Sequence, residues 1–309
     1  MPGPESKTIR LRAWIGLLII LAFGCVSGPA GRTDAPLAWA AYYSAEPVDL
    51  SRFALVILDS EHHPPLGPRP RPLTLAYLSL GEVGTFRPYF NAVQREGLLA
   101  GVNPNWDSHF IDLRDPRWAA RVLEELLPAI IVQGFDGVLL DTLDSAIYLE
   151  EQDPQQFRGM QDAAVRLVNN IRAKYPGLLI AMNRAYPLLP RVEQSLDYEL
   201  AESVYGSYDF ERKAYKPVHR ADTLSQLVAL REARERRPEL EILTLDYWNP
   251  EDSRGIKRIY RQQKAHGFHP YVATIKLDRI IVEAVRPGRI PAPRTALSRP
   301  LAPPSHAKP

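Results

Sequence analysis

The sequence predicts a single (β/α)8 barrel, the TIM-barrel form of an α/β fold. Eight short, largely apolar runs occur along the chain, and such runs are typical of strands buried on both faces of a parallel sheet. Amphipathic helical patterns separate most of these runs, which is the alternation that a βα repeat requires. A doubly wound open sheet is the alternative, but no glycine-rich phosphate loop follows the first run.

The 309 residues divide into three parts. Residues 1–33 are interpreted as a signal peptide, or a lipoprotein signal, followed by a linker. Residues 36–285 contain all eight apolar runs and form the predicted barrel domain, which has the length of about 250 residues that is typical of such barrels. Residues 286–309 are rich in proline and small residues and are predicted to be a disordered tail.

Export is predicted from the first part of the chain. Positively charged residues precede an apolar run over 13–24, which has the length of a signal-peptide core and is short for a membrane span. Small residues follow, and Cys25 stands where a bacterial lipoprotein carries its lipid. Plain cleavage and an uncleaved anchor are the alternatives. We therefore expect a periplasmic, outer-membrane lipoprotein or secreted protein, with Cys25 or the N-terminal segment as the means of any membrane attachment.

Composition argues against several other classes. The net charge is +2 at pH 7, and no basic stripe interleaved with aromatic residues suggests a nucleic-acid partner. Cys25 is the only cysteine, so the chain has neither an intrachain disulfide nor a cysteine-based zinc site. His62 and His63 are adjacent, but no further ligand stands at metal spacing, which favours a solvated or substrate-lining loop. We expect a monomer without cofactor or metal.

The first three strands are predicted near residues 39–43, 53–58 and 73–80. The third ends in Gly81-Glu82, where glycine allows a ligand or a neighbouring backbone to approach closely. The next thirty residues are rich in aromatic residues and proline and suit a loop over a barrel mouth, with a short strand near 110–113. Asp115 as N-cap and Pro116 at the first helical position then predict a helix.

The fourth strand organises the chain. Residues 138–140 form an apolar run that ends at Asp141, which places Asp141 at the C-terminal end of a strand, where barrel enzymes keep their catalytic groups. Asp144 follows in the same loop. Asp136 lies at the opposite end of the strand, where we expect it to cap a turn. The alternative for Asp141 is a helix cap, since aspartate favours such positions.

The rest of the chain repeats this pattern. Strands are predicted at 178–182, 198–201, 242–245 and 271–275, and helices near 160–174, 222–236 and 253–266. Asn183 ends the first of these strands, Glu202 the second and Asp246-Tyr247 the third. Gly267 closes the last helix as its C-terminal cap.

Acidic and aromatic side chains collect at the predicted strand ends. The acids are Glu82, Asp141, Asp144, Glu202 and Asp246, and the aromatic residues nearby are Tyr43, Tyr77, Trp106, Tyr205, Tyr247 and Trp248. The C-terminal ends of barrel strands share one rim, so solvation alone does not explain these acids on four different strands. Carboxylates beside aromatic faces suit sugar recognition, although each single aromatic residue is also explained by core packing.

Two carboxylates are the minimum for cleaving a glycosidic bond. One attacks the sugar or activates water, and the other protonates the leaving oxygen, through an oxocarbenium-like transition state. Asp141 on the fourth strand and Glu202 on the sixth lie two strands apart, so they can face each other across one sugar. A separation of about 5–5.5 Å predicts retention of the anomeric configuration, and about 6.5–9.5 Å predicts inversion.

Five segments resemble the endo-α-1,4-polygalactosaminidase family of glycoside hydrolases, in particular the relatives that form the hydrolase domain of the Pel exopolysaccharide-modifying protein. These segments are 77–83 (YLSLGEV), 134–144 (GFDGVLLDTLD), 183–184 (NR), 201–203 (AES) and 245–247 (LDY). They occur in the family's order over residues 38–285. The resemblance implies a (β/α)8 barrel that cleaves α-1,4-linked galactosamine or N-acetylgalactosamine polymers.

The resemblance also implies roles for single residues. Asp141 is carried over as the nucleophile and Glu202 as the acid/base. The neighbours carried over as substrate-binding or pKa-tuning groups are Glu82, Asp144, Asn183 and Asp246. Candidate aromatic contacts to the substrate are Tyr43, Tyr77, Tyr205 and Tyr247. An acid-lined mouth of this kind would attract a partly deacetylated, cationic galactosamine polymer.

Two other classes of protein fit the same residues. A catalytically silent carbohydrate-binding barrel of the cell envelope would use the same aromatic side chains, because fold does not fix function. A metal-dependent hydrolase would use Glu82, Asp141 and Asp144 as oxygen ligands for Mg²⁺ or Ca²⁺.

Overall fold

The computed structural model describes residues 37–104 and 107–281. Within these ranges eight parallel strands form a nearly closed barrel, as predicted, and they pair in the order of the sequence. We number them β1 (Trp39–Tyr42), β2 (Leu55–Asp59), β3 (Leu73–Ser79), β4 (Gly137–Asp141), β5 (Leu179–Asn183), β6 (Tyr198–Glu202), β7 (Glu241–Tyr247) and β8 (His269–Ala273). The predicted export segment with Cys25, the predicted tail and Trp106 lie outside the described residues.

Helices follow most of the strands. They are α1 (Phe90–Arg95), α2 (Pro116–Arg121), α3 (Leu127–Gln133), α4 (Asp144–Gln152), α5 (Met160–Lys174), α6 (Leu189–Val192), α7 (Arg220–Arg236) and α8 (Ser253–Ala265). α5, α7 and α8 match the predicted helices to within two residues. Gly267 follows α8 with φ 69°, the left-handed conformation expected of a C-terminal cap. Within the described ranges, no helix combines the length and the apolar character needed to cross a membrane.

The apolar runs become strands because both of their faces are covered. Val138, Leu139 and Leu140 are each no more than 2% exposed, since alternate side chains pack inside the barrel and against the helices around it. Burying side chains of this size contributes roughly 1.5–3 kcal/mol each to folding. Asp141 follows directly and ends the run at the barrel rim.

Specific contacts join the last strand to the first. The Leu37 amide donates to Nδ1 of His269 at 2.8 Å, and Nε1 of Trp39 donates to the His269 carbonyl at 2.7 Å. At the other end of β1, the Tyr43 amide donates to the Leu277 carbonyl at 2.8 Å. These contacts hold β8 beside β1, so the rim has a continuous wall.

Asp115 caps α2 as predicted. Its side chain accepts a hydrogen bond from the Arg117 amide at 2.9 Å, and Pro116 occupies the first turn. α2 then passes through a wider, π-type turn (Val122–Leu126) into α3, where the sequence suggested one regular helix. Pro128 accounts for this change, because it has no N–H to donate to the preceding turn.

Asp136 fastens the base of the barrel. Its carboxylate accepts hydrogen bonds from the Thr74 amide at 2.9 Å and from Nη1 of Arg71 at 2.7 Å. Arg71 also donates to the Gly134 carbonyl at 2.6 Å. Asp136 therefore lies at the end of β4 opposite Asp141, as predicted, but it joins two strands and does not simply cap a turn.

Two antiparallel excursions leave the C-terminal ends of the strands. After β3, the strands Glu82–Gly84, Leu99–Asn103 and Ser108–Ile111 form what we call the side sheet, where the sequence predicted a loop with one short strand. After β6, Gly206–Asp209 pairs with Ala214–Pro217 in what we call the hairpin. Strands of three to five residues are too short for their alternation to be recognised in the sequence.

Candidate active site

A cleft of about 740 Å³ opens at the C-terminal ends of the barrel strands. Residues of the side sheet, of the hairpin and of the loops after β4, β5 and β6 line it. This is the end of the barrel at which enzymes of this fold keep their active sites.

Strand alternation decides which rim residues reach the cleft. Successive side chains of a strand point to opposite faces, so only every second residue points inwards. The inward residues that line the cleft are Tyr77 and Ser79 of β3, Leu139 and Asp141 of β4, Asn183 of β5, Leu200 and Glu202 of β6, and Leu245 and Tyr247 of β7. The two predicted catalytic acids therefore share one cleft.

The side-chain amide of Asn183 joins these two acids. Its Nδ2 donates to Oδ1 of Asp141 at 2.9 Å and to Oε2 of Glu202 at 2.7 Å. The two accepting oxygens can be no farther apart than the sum of these distances, which is less than the roughly 6.5 Å at which the inverting spacing begins. Asn183 itself is only 7% exposed, so the contact is shielded from bulk water. Asp141 does not cap a helix, because α4 begins at Asp144 without a side-chain cap.

The environment of Asp141 disfavours its charged form. Burial and then the negative charge of Glu202 raise the pKa of Asp141 to about 6, while hydrogen bonds from Asn183 and Tyr77 oppose the increase. Two carboxylates this close compete for one proton, which is the arrangement that separates an acid from a base in one site.

Three tyrosines surround the pair and remain proton donors. The Tyr247 hydroxyl donates to Oε1 of Glu202 at 2.6 Å. Burial, reinforced by the nearby carboxylates, raises the pKa of Tyr43, Tyr77 and Tyr247 well above its usual value. The ring of Tyr43 packs edge-on against that of Tyr77, with 5.5 Å between the centroids. Three of the four predicted tyrosines are thus at the site.

Glu82 and Asp144 lie in the wall of the same cleft. Glu82 is 7% exposed and accepts hydrogen bonds from Oγ of Ser108 and Oγ of Ser145, each at 2.5 Å, and from Nδ2 of Asn103 at 3.0 Å. Asp144 is exposed to the cleft. Removal from bulk water raises its pKa, Arg184 lowers it, and the charges of Glu202 and Glu82 raise it further. Both residues therefore line the cleft, and their role in substrate binding stays a prediction.

The backbone is strained directly after the three central polar residues. φ is 63° at Thr142, 55° at Arg184 and 57° at Ser203. This left-handed conformation is uncommon outside glycine, above all for a β-branched residue such as threonine. Hydrogen bonds maintain it: Oγ1 of Thr142 accepts from the Gly81 amide at 2.9 Å, and the Ser203 amide donates to the Leu245 carbonyl at 2.7 Å. Strain of this kind concentrates at functional sites.

Two of the predicted substrate-binding residues do not line the cleft. Asp246 is fully buried between β7 and α8, where it accepts from the amides of Tyr205 (2.6 Å) and Gly206 (2.9 Å) and from Nε2 of Gln263 (2.7 Å). Burial raises its pKa, and these hydrogen bonds oppose the increase. The Tyr205 hydroxyl lies 2.8 Å from Nε2 of His266, away from the cleft. The reason is alternation, since Asp246 occupies an outward position between the inward Leu245 and Tyr247. Asp246 thus holds the base of the hairpin and does not line the cleft.

Four charged residues of the cleft had no predicted role: Asp59, Arg87, Asp107 and Arg184. Asp59 ends β2 and lines the cleft, so the pattern that identified Asp141 could have identified it. Arg87 is 7% exposed and donates to both oxygens of Asp59, at 3.1 and 2.6 Å. It belongs to an irregular segment, where periodicity gives no signal. Arg184 belongs to a recognised motif, but nothing in the motif indicates that it faces Asp144.

The geometry gives no support to a metal-dependent hydrolase. Across residues 37–104 and 107–281, no three histidine, cysteine, aspartate or glutamate side chains converge as metal ligands would. His63 instead packs edge-on against Phe135, and its Nε2 lies 3.0 Å from Oε1 of Gln133.

A parallel (β/α)8 barrel with two close carboxylates in an open cleft is the architecture of a glycoside hydrolase. The chain belongs to glycoside-hydrolase family GH114, whose model matches residues 34–286. The predicted resemblance to endo-α-1,4-polygalactosaminidases is thereby confirmed.

The chain is also similar to individual proteins. The glycoside hydrolase domain of PelA from Pseudomonas aeruginosa is 27% identical, with a TM-score of 0.70, over 81% of this chain and 99% of that domain. Ega3 from Aspergillus fumigatus, solved in complex with galactosamine, shares the fold with a TM-score of 0.60 and 11% identity, over 82% of this chain and 98% of that one. A Deinococcus radiodurans protein described as uncharacterized is 27% identical over 214 residues, which are 67% of this chain and 66% of that protein.

Proposed function

We propose that this glycoside hydrolase cleaves polymers of α-1,4-linked galactosamine or N-acetylgalactosamine, with Asp141 as nucleophile and Glu202 as acid/base. One observation carries the proposal: a single Asn183 nitrogen contacts both carboxylates. This proximity fits the spacing of about 5–5.5 Å that a retaining glycosidase uses, in which one carboxylate attacks the sugar directly.

The proposed reaction has two steps. Asp141 attacks the anomeric carbon, the bond to the leaving oxygen breaks, and that oxygen takes the proton of Glu202. Glu202 then removes a proton from water, whose oxygen attacks the same carbon. This second attack releases Asp141 and leaves the anomeric carbon of the sugar with its original configuration. The pKa of Asp141, about 6, leaves this carboxylate largely ionised at neutral pH, as a nucleophile must be. The Asn183 amide keeps both acids oriented throughout.

The charge of the cleft supports an amino-sugar substrate. The acids that line it are Asp59, Glu82, Asp107, Asp141, Asp144 and Glu202, whereas the cations are Arg87 and Arg184. Because the whole chain carries a net charge of +2, this acidity is local to the cleft. A protonated galactosamine unit would be drawn to it. The galactosamine bound to Ega3, a protein of the same fold, points to the same class of sugar.

Export belongs to the same proposal. An exopolysaccharide is met outside the cytoplasm, and residues 1–33 carry the sequence features of a signal peptide or lipoprotein signal.

The decisive experiment is incubation with purified galactosamine-containing exopolysaccharide, followed by mass spectrometry of the released oligomers. We expect wild type to release short oligosaccharides, and Asp141→Asn and Glu202→Gln to lose cleavage by at least about 10³-fold while still binding the polymer. Added azide distinguishes the two roles. It takes the place of the missing nucleophile in Asp141→Asn, and it takes the place of the deprotonated water in Glu202→Gln. The sugar azide should therefore have inverted configuration with Asp141→Asn and retained configuration with Glu202→Gln. No turnover by wild type on any amino-sugar polymer would contradict the proposed substrate.

A further inference from the structure

The exposed apolar side chains of the described residues fall into two groups. The aromatic ones, Phe86 (71% exposed), Phe210 (55%) and Tyr148 (49%), all line the cleft. The aliphatic ones, Val102, Val132, Leu224 and Val228, do not. Exposing a large ring to water is unfavourable. Apolar residues that are exposed singly at scattered places are normal, but three exposed rings in one cleft indicate a function for that cleft.

These rings lie on both sides of the carboxylate pair in the order of the barrel. Phe86 precedes β4, the strand of Asp141, and Tyr148 lies on α4, which follows that strand. Phe210 lies at the turn of the hairpin, which follows the strand of Glu202. A sugar held between the two acids would therefore have aromatic side chains beyond it in both directions.

Neighbouring groups hold two of the rings in place. The guanidinium of Arg87, fixed by Asp59, lies 5.0 Å from the centre of the Phe86 ring. The Phe210 ring packs edge-on against Tyr208 at 5.2 Å, and Tyr208 packs in turn against Tyr215 at 5.0 Å. A ring fixed in this way loses little conformational freedom when a ligand binds.

Tyr148 is held similarly, with its ring centre 5.9 Å from that of Phe110 in the side sheet. Aromatic faces accept the C–H face of a pyranose ring, and they attract an ammonium group through their π electrons. An amino-sugar unit offers both features.

We propose that Phe86, Tyr148 and Phe210 form stacking subsites that bind sugar units beyond the two that the cleaved bond joins, so that the protein recognises several consecutive units of a polymer. This inference rests on the proposed function for the identity of the sugar, but the subsites themselves do not depend on it. Phe86 and Phe210 would then set the affinity for a polymer and have little effect on a substrate that occupies only the central units.

The test measures binding of a partly deacetylated α-1,4-galactosamine polymer to the full chain carrying Asp141→Asn, which prevents cleavage during the measurement. We expect Phe86→Ala and Phe210→Ala each to weaken polymer binding by about three- to tenfold, with binding of galactosamine disaccharide changed less than about twofold. Phe86→Tyr and Phe210→Tyr should bind like the parent, since the ring is retained. Val132→Ala, which shortens an exposed apolar side chain outside the cleft, is the matched control.

Each outcome decides one of the two claims. If the double variant Phe86→Ala/Phe210→Ala binds the polymer as tightly as the Val132→Ala control, the stacking subsites are rejected. If the losses appear with chitosan or a neutral α-glucan and the galactosamine polymer does not bind, the subsites stand and the proposed sugar is rejected. If the parent binds none of these polymers, both are rejected. Thermal unfolding of every variant confirms that the fold is intact.

Discussion

One asparagine and two tyrosines are hydrogen-bonded to the central acids. Asn183 contacts both carboxylates, while Tyr77 is hydrogen-bonded to Asp141 and Tyr247 to Glu202. The hydrogen bonds from Asn183 and Tyr77 favour the charged form of Asp141. They therefore counteract the burial that raises the pKa of Asp141.

The ionisation of Asp141 should set the acid limb of the pH profile. As the proposed nucleophile it must be charged, and its pKa is raised to about 6 by burial and by Glu202. We expect kcat/KM on a soluble oligosaccharide to fall about tenfold per pH unit below this value, because kcat/KM reports ionisations of the free enzyme. Tyr77→Phe removes a hydrogen bond to the charged form, so the limb should move to higher pH.

Tyr175→Phe is the matched control for this shift, since Tyr175 donates to the Leu123 carbonyl and does not line the cleft. An acid limb in the same place for Tyr77→Phe and wild type would show that the hydrogen bond does not control Asp141. Activity that rises as the pH falls through 6 would instead make Asp141 the proton donor and reverse the two roles.

At the scale of elements, the loops after β3 and β4 fit against each other without spare room. The Leu80 amide donates to the Asp141 carbonyl at 3.0 Å, and the Gly81 amide donates to Oγ1 of Thr142 at 2.9 Å. A Cβ atom on Gly81 would lie 2.1 Å from the Thr142 carbonyl oxygen. The sequence predicts the close approach of a neighbouring backbone at Gly81. That neighbour is the backbone of Thr142, directly after Asp141.

Gly81→Ala should impair catalysis more than stability. The methyl group must push away the Thr142 backbone, which shifts Asp141. We expect kcat to fall at least about tenfold and the free energy of unfolding to fall by about 1–3 kcal/mol. Gly177→Ala is the control, because a Cβ there meets nothing within 4 Å. Turnover with soluble substrate and thermal unfolding measure the two effects. Equal kcat values for the two variants would contradict this role of Gly81.

The barrel strands show which residues of the site could be predicted from the sequence and which could not. Strands β4 and β6 are clear because their apolar runs end in a single acid, so Asp141 and Glu202 are identified correctly as residues of the cleft. Asp246 and Tyr247 both stand at the end of β7, and only the alternation of the strand separates them. That alternation is hidden in a strand buried on both faces, where inward and outward residues are equally apolar. The pairing of Leu245 with Glu202, which the folded structure supplies, places Leu245 and Tyr247 on the inward face and Asp246 on the outward one.

For the whole molecule, the order of strands and helices was predictable because the repeat is regular. The side sheet and the hairpin were not, since polar and small residues interrupt their strands. These excursions supply Phe86, Arg87 and Phe210 to the cleft. The barrel thus carries the two proposed catalytic acids, which sequence patterns reveal, and the excursions carry groups around them, which only the folded structure reveals.

The charge distribution of the whole molecule leads to a last prediction. The chain is nearly neutral overall, with a net charge of +2, yet acids outnumber cations in the cleft. A cationic polymer is attracted to such a cleft by its negative charge. Salt screens this attraction, and the screening length is about 10 Å at 0.1 M salt. We expect kcat/KM for a deacetylated galactosamine oligomer to fall several-fold between about 20 and 500 mM NaCl. The fully N-acetylated oligomer of the same length is the control, since it carries no charge and should change less than about twofold. An equal salt effect on both oligomers would show that the acids of the cleft serve catalysis alone and do not select the substrate by charge.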